Sequence, residues 1–323
     1  MTGVGLHGGF RGNAWFKHRI EIFKNYTLRS LANQSNKEFI IWMWFRPEEE
    51  YNPLVNEIAD AIDTAGLRFV FTFNGLMYHD DKFTNYNLKT KLKNFLQMLL
   101  DAYHKKEFRP LKEIWKYTWE NKNHTLRARL EKSIATLKSL ITDKYDWVYL
   151  TRIDSDDMFH REVVELIQSQ TPDYRKAFVF NAGYIYNIET GQLGTWLPPT
   201  NPPFHTIVFP GWLFFHTQSH YEYYKDFKSH EDITRVFNAE TLDINKYCVT
   251  AHGKDHISTS WDVPLPKDLY HSLKYRPYCY TTSGKNISTR WNSRTLKRRN
   301  FMIGAEITDQ QEKKNILSQF GIW

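Results

Sequence analysis

The chain has 323 residues, 41% hydrophobic and 24% charged, which can build a large core and excludes a disordered or low-complexity chain. Lys plus Arg number 43 against 36 acids, and the resulting +7 favours anionic partners: nucleic acid, an acidic membrane surface or a phosphorylated substrate. With only Cys248 and Cys279 present, two reduced thiols are expected in place of a disulfide framework.

No apolar run approaches the ~20 residues that a membrane span needs. No secretory signal stands at Met1, so a cytoplasmic location is expected. Aromatic residues reach 16%, a share that fills cores and also lines sugar and base sites.

The chain opens on a glycine-rich stretch from Gly3 to Asn13, followed by a helical pattern from Trp15 to about Ala32. An α/β domain normally places a strand before such a loop. Either that strand is very short or the natural chain begins upstream. The continuous apolar run Phe39 to Phe45 predicts a strand buried on both faces. Asn52 and Pro53 predict a helix N-cap and first turn, and Gly66 predicts its C-terminal stop. Leu67 to Phe73 predicts a second strand.

Residues 76–122 predict a helical insertion, with Leu88, Leu92, Phe95, Leu96 and Leu99 on one face. A helix from about Thr125 to Thr142 and a strand from Trp147 to Ile153 follow. Strands alternating with helices imply an α/β class with a doubly wound, mainly parallel sheet. Beyond residue 175 the pattern becomes strand-rich, at 177–180, 184–186, 206–209 and 246–250, with a helix near 219–227.

The strongest chemical signal is Thr151, Arg152, Ile153, Asp154, Ser155, Asp156, Asp157, placed where the third strand should end. In extended backbone, residues i and i+2 point the same way, so Asp154 and Asp156 are expected to converge on one cation. Asp157 either assists them or caps the next helix. Hard carboxylate oxygens suit Mn²⁺ or Mg²⁺, which commonly bridge phosphates. The purely structural alternative is an Asp- and Ser-built turn that needs no metal.

This stretch, continued by Phe159, His160, Arg161 and Glu162, resembles the DxD region of GT-A glycosyltransferases. More narrowly, it is similar to a bacterial and viral family of rhamnosyltransferases. Phe16 to Phe45, with Arg19, Phe23, Tyr26 to Leu31 and Gln34, resembles that family's first helix and second strand. Asn181 to Tyr184 with Asn201 to Phe204 resembles its central region. Ala251 to Gly253 with Ile257 to Thr259 resembles its closing segment, with Asp255 and His256 replacing the usual Asn. The likeness spans roughly residues 10 to 260.

The resemblance implies a GT-A fold over residues 1–283 and a metal-dependent transferase. It would move a sugar, a deoxyhexose such as rhamnose by the family label, from a nucleoside-diphosphate sugar to a glycan or other hydroxyl acceptor. An inverting outcome is expected. Asp154 would face the ribose or the metal, Asp156 would bind the metal directly, and His252 matches a further metal or phosphate ligand. An ordinary loop histidine is the alternative for His252. Arg11 would lie near the nucleotide phosphates, with a solvated loop arginine as the alternative. Arg152 either joins it there or pairs with one of the acids.

An inverting transferase needs a base. His230, Glu231 and Asp232 are the candidates, although acids at a helix start also serve the helix itself.

Residues 284–323 are expected to form a basic C-terminal extension. From Gly284 to Ala305 there are six basic residues and no acid, so nearly all the +7 sits there. The extension could hold the enzyme at an anionic membrane, and no nucleic-acid partner is expected of the catalytic body. The competing reading is a non-catalytic protein binding nucleic acid or glycan through a basic aromatic surface.

Overall fold

A computed structural model describes residues 2–5, 13–45, 49–74, 126–142, 144–188, 190–197, 204–227, 230–251 and 302–323, with isolated helical positions between 92 and 115. The chain is a mixed α/β protein built on two mixed sheets. The larger sheet has seven strands in the order β10-β6-β9-β4-β1-β2-β3. These are β1 (Thr2–Gly5), β2 (Ile40–Trp44), β3 (Arg68–Thr72), β4 (Trp147–Asp154), β6 (Lys176–Val179), β9 (His205–Pro210) and β10 (Asn238–Thr241). Strands β3, β2, β1 and β4 run parallel. The parallel run ends at β9, which lies antiparallel between β4 and β6.

The second sheet has the order β12-β8-β7-β11-β5. Its strands are β5 (Met158–Phe159), β7 (Gly183–Asn187), β8 (Leu193–Leu197), β11 (Tyr247–Ala251) and β12 (Met302–Glu306).

Alternation along β2 explains the layering. Ile41 and Met43 join one hydrophobic cluster with Phe16 and Ile20 of α1 (Asn13–Ile22) and Ile58 and Ile62 of α3 (Pro53–Thr64). Ile40, Trp42 and Trp44 join the other, with Leu130, Ile134 and Leu137 of α4 (Leu126–Leu140). Successive side chains point to opposite faces, and each face is roofed by a helix with matching apolar spacing. Helices thus cover both sides of the sheet, which is why β2 reads as an unbroken apolar run.

The local signals have their expected geometry. Asn52 Oδ1 accepts from the Leu54 amide at 3.1 Å, and Pro53 opens α3. Gly66 has φ +68°, the left-handed conformation a helix stop uses. The first helical stretch is not uniform: a π-helical turn, Phe23–Thr27, separates α1 from α2 (Leu28–Ala32). Most of the expected 76–122 insertion lies outside the described residues.

The chain's last residues are integral to the body. β12 pairs with β8, and Leu317 and Phe320, at the end of the C-terminal helix (Gln310–Gln319), are buried against Met158, Leu193 and Cys248. Of the expected basic extension, 284–301 lies outside the described residues, and 302–323 closes on the second sheet. Among the described residues no helix is long and apolar enough to cross a membrane.

Candidate functional site

Strand β4 delivers the acids. Its last residue, Asp154, is in register with Gly5 of β1, and Gly5 is in register with Trp44, the last residue of β2. Three parallel strands therefore end together, at the edge where open α/β sheets bind ligands. The residues after Gly5, Arg11 among them, lie outside the described set.

The chain then turns. The Asp157 amide donates to the Asp154 carbonyl at 3.1 Å, closing a tight turn over Ser155 and Asp156. The alternation of an extended strand stops at Asp154, so the expected convergence of Asp154 and Asp156 does not follow from it. Each carboxylate has its own partner.

Asp154, with 36% of its side chain exposed, accepts from Arg152 Nε and Nη2 at 3.2 and 3.0 Å. Both bonds fall on Oδ1 and leave the second oxygen out of that pair. Asp156 is buried, and its Oδ2 accepts from Arg19 Nη1 at 2.9 Å. Arg19 Nη2 also donates to Ser155 Oγ at 2.8 Å. Asp157 is buried and accepts from the Thr250 amide at 3.1 Å, while the Thr250 hydroxyl donates to the Asp156 carbonyl.

The electrostatics follow from burial and proximity. Burial, then the charges of Asp156 and Asp154, push the Asp157 carboxyl well above the usual carboxylate range, against the Thr250 amide and Arg19. Burial alone would lower the Arg19 guanidinium. Asp156, by charge and hydrogen bond, outweighs that and holds Arg19 above its ordinary value. Burial and then Asp157 also push up the Cys248 thiol and the Tyr247 phenol. The Tyr247 ring stacks on Phe204 with centroids 4.0 Å apart, and its hydroxyl has no hydrogen-bond partner among the described residues.

Among the described residues no three His, Cys, Asp or Glu side chains form a ready-made metal cage. Mg²⁺ and Mn²⁺ do not need one, since such ions are held by one or two carboxylates together with substrate phosphates. The partly exposed Asp154 fits that role. Asp156, paired with Arg19, and Asp157, whose carboxyl holds its proton more tightly than usual, back the turn from inside. His252 lies outside the described residues.

The base candidates are not brought to this turn. His230–Asp232 form a 3₁₀ turn leading into Ile233–Val236, just before β10 begins. That is the amino end of an edge strand, whereas Asp154 ends a central one. Three inter-strand steps separate β10 from β4, roughly 14 Å sideways. Asp232 accepts from Arg235 Nε and Nη2 at 3.1 and 2.9 Å, so its carboxylate supports its own helix. His230, Glu231 and Asp232 thus remain base candidates by resemblance, carried on an element set apart from the acidic turn.

A separate cleft of about 410 Å³ opens at the opposite end of the sheet, lined by Glu38, Phe39, Arg68, Trp147 and Tyr149 among others. It holds no acid cluster, and the acidic turn is the better candidate on chemistry.

Sequence reasoning gave no role to Arg19, Thr250 or Tyr247. Arg19 appeared only within the resembling first helix, and Thr250 stands two residues before His252. No family model matches the chain, and comparison with curated proteins gives no match.

Proposed function

We propose that the chain is a metal-dependent glycosyltransferase of the GT-A type, moving a sugar from a nucleoside diphosphate to a glycan or other hydroxyl acceptor. The observation that carries this reading is the acidic turn Asp154–Asp157 at the carboxyl end of the central parallel strand, with the second sheet starting directly after it at β5. The helix-covered parallel run β3-β2-β1-β4 and the antiparallel β9 are compatible with that architecture. The deoxyhexose donor and the inverting outcome rest on sequence resemblance. So does peripheral contact with an anionic membrane through residues 284–305.

Asp154 would hold Mn²⁺ or Mg²⁺ with the diphosphate oxygens. A bound divalent ion supplies charge neutralisation for the departing nucleoside diphosphate. Arg152, whose Nε and Nη2 donate to Asp154, would offer its guanidinium to a phosphate as well. Asp156, Asp157 and Thr250 keep the turn in shape. In the transfer, the acceptor oxygen bonds to the anomeric carbon as the bond to the diphosphate breaks, and the acceptor proton passes to a base.

The test is a thermal-shift screen of nucleoside diphosphates and nucleotide sugars with and without Mn²⁺. One nucleotide should stabilise the protein, only with metal, and Asp154→Asn should abolish the effect. No response to any nucleotide, together with salt-sensitive binding of DNA or RNA, would establish the non-catalytic alternative instead.

A further inference from the structure

The helical stretch from Asn13 to Ala32 is sewn to the acidic turn along its length. Arg19 reaches Asp156 and Ser155 at 2.9 and 2.8 Å. The Phe159 amide donates to Ser30 Oγ at 3.3 Å. Gln34 Nε2 donates to the His160 carbonyl at 3.0 Å, and Gln34 Oε1 accepts from the Val164 amide at 3.1 Å. One face of this helix and its exit therefore fix residues 155–164 from behind. Of these contacts, only that of Arg19 neutralises an acid.

We infer that Arg19 is a positioning residue that decides which acid is offered to the cation: it withdraws Asp156 into the protein and leaves Asp154 as the direct metal ligand. This rests on the glycosyltransferase reading above and reverses the roles that the DxD resemblance implies. The side chains of Arg19 and Asp156 are 6% and 5% exposed, against 36% for Asp154. A carboxylate that closed off, with one oxygen on a guanidinium, is poorly placed to join a hydrated ion's shell. Asp154 stands at the strand end with the greater exposure, and its partner Arg152 is itself 19% exposed. The charge on Arg19 also limits repulsion within the turn, since its guanidinium is felt by Asp157 as well as Asp156.

The experiment is Mn²⁺ titration of the whole chain, followed by the electron paramagnetic resonance signal of free Mn²⁺ in the presence of the nucleoside diphosphate selected by the thermal screen. Asp154→Asn should weaken Mn²⁺ binding at least tenfold. The double variant Arg19→Met/Asp156→Asn, which removes the buried pair as a unit, should stay within threefold of the wild type. Asp156→Asn alone is measured in parallel, so the comparison does not hang on the folding of one variant.

A folded Asp156 variant that loses Mn²⁺ as fully as Asp154→Asn would overturn the inference while leaving the transferase reading intact. A wild-type chain that binds no Mn²⁺ with any nucleotide would sink both. Arg19→Lys keeps the charge that holds Asp156 back, so its Mn²⁺ affinity should stay within threefold of the wild type. In Arg19→Met, Asp156 loses that partner, and adding Asp156→Asn should then change Mn²⁺ affinity at least fivefold, whereas Asp156→Asn in the wild type should change it less than threefold. Equal effects of Asp156→Asn in the two backgrounds would count against positioning.

Discussion

Replacing Arg19 by Met should cost about 3–5 kcal/mol of stability at pH 7, the range for removing one partner of a buried ion pair. The structure places it there and not among surface pairs, which are worth about 0–1 kcal/mol. The Arg19 and Asp156 side chains are 6% and 5% exposed, whereas Lys225 and Glu222, at 2.7 Å, are 44% and 46% exposed. Met fills much of the volume, so the loss is chiefly electrostatic: Asp156 stays buried beside Asp154 and Asp157. At about 2 °C per kcal/mol for a chain of this size, the Tm should fall by about 6–10 °C.

The pH dependence carries a sign. An unpaired buried carboxyl binds its proton more tightly in the folded than in the unfolded chain. The penalty is therefore full at neutral pH and fades as pH falls toward the unfolded value of about 3.9. Urea denaturation at pH 7 and pH 4.5 measures both effects. Arg19→Met/Asp156→Asn should recover most of the loss, since replacing the whole pair removes the stranded charge. A wild-type urea midpoint for Arg19→Met at pH 7, or a deficit unchanged at pH 4.5, would refute the reasoning.

Three further outcomes follow from the packing and the buried histidines. Burial lowers His220 to about 4, and burial and then Lys246 lower His160 to about 4, both below the ordinary 6.5. The folded chain then binds fewer protons than the unfolded one. This stability is present above pH 6.5 and drains away toward pH 4, and His220→Phe should flatten that slope in urea melts across the window. Gly211→Ala should cost about 1–3 kcal/mol or more, because its methyl would run into the Tyr145 carbonyl. Gly191→Ala meets nothing within 4 Å and should cost only about 1–2 kcal/mol for its φ of +72°. Equal urea midpoints for the two would contradict this. Phe320→Ala should cost about 3–5 kcal/mol and open buried Cys248 to a thiol reagent under native conditions. Full protection of that thiol in the variant would mean the C-terminal segment does not cover it.

What the sequence made legible is local. The apolar run at β2, the Asn52–Pro53 cap and the Gly66 stop each depend on a few neighbouring residues, and each has its expected geometry. The strands at 177–180, 184–186, 206–209 and 246–250 are likewise real, yet their pattern does not say which sheet they join. β6 and β9 extend the large sheet, whereas β7 and β11 build a second one with β5 and β12. Period-two alternation tells a strand that one face is buried. It does not tell the strand its neighbour, because pairing is decided by chain segments far apart. The C-terminal residues show the same limit: the basic composition of 284–305 suggested an extension outside the catalytic body, while Leu317 and Phe320 are fully buried.

The site divides along the same line. The acids were legible because they fall within four residues and follow a recognisable strand. Their partners were not, because Arg19 lies 137 residues before Asp156, and Thr250 lies 93 residues after Asp157. The i, i+2 argument failed for a physical reason. It holds only while the backbone stays extended, and the carbonyl of Asp154, the last strand residue, is captured by the Asp157 amide three residues on. Three carboxylates within four residues cannot all face one solvent edge without mutual repulsion. The chain resolves this by sending Asp156 inward to a guanidinium and Asp157 inward to an amide, which leaves Asp154 at the surface. The same acids at the same spacing can form a cation cage or a charge-balanced turn, and what selects between them is a counter-charge on a distant helix.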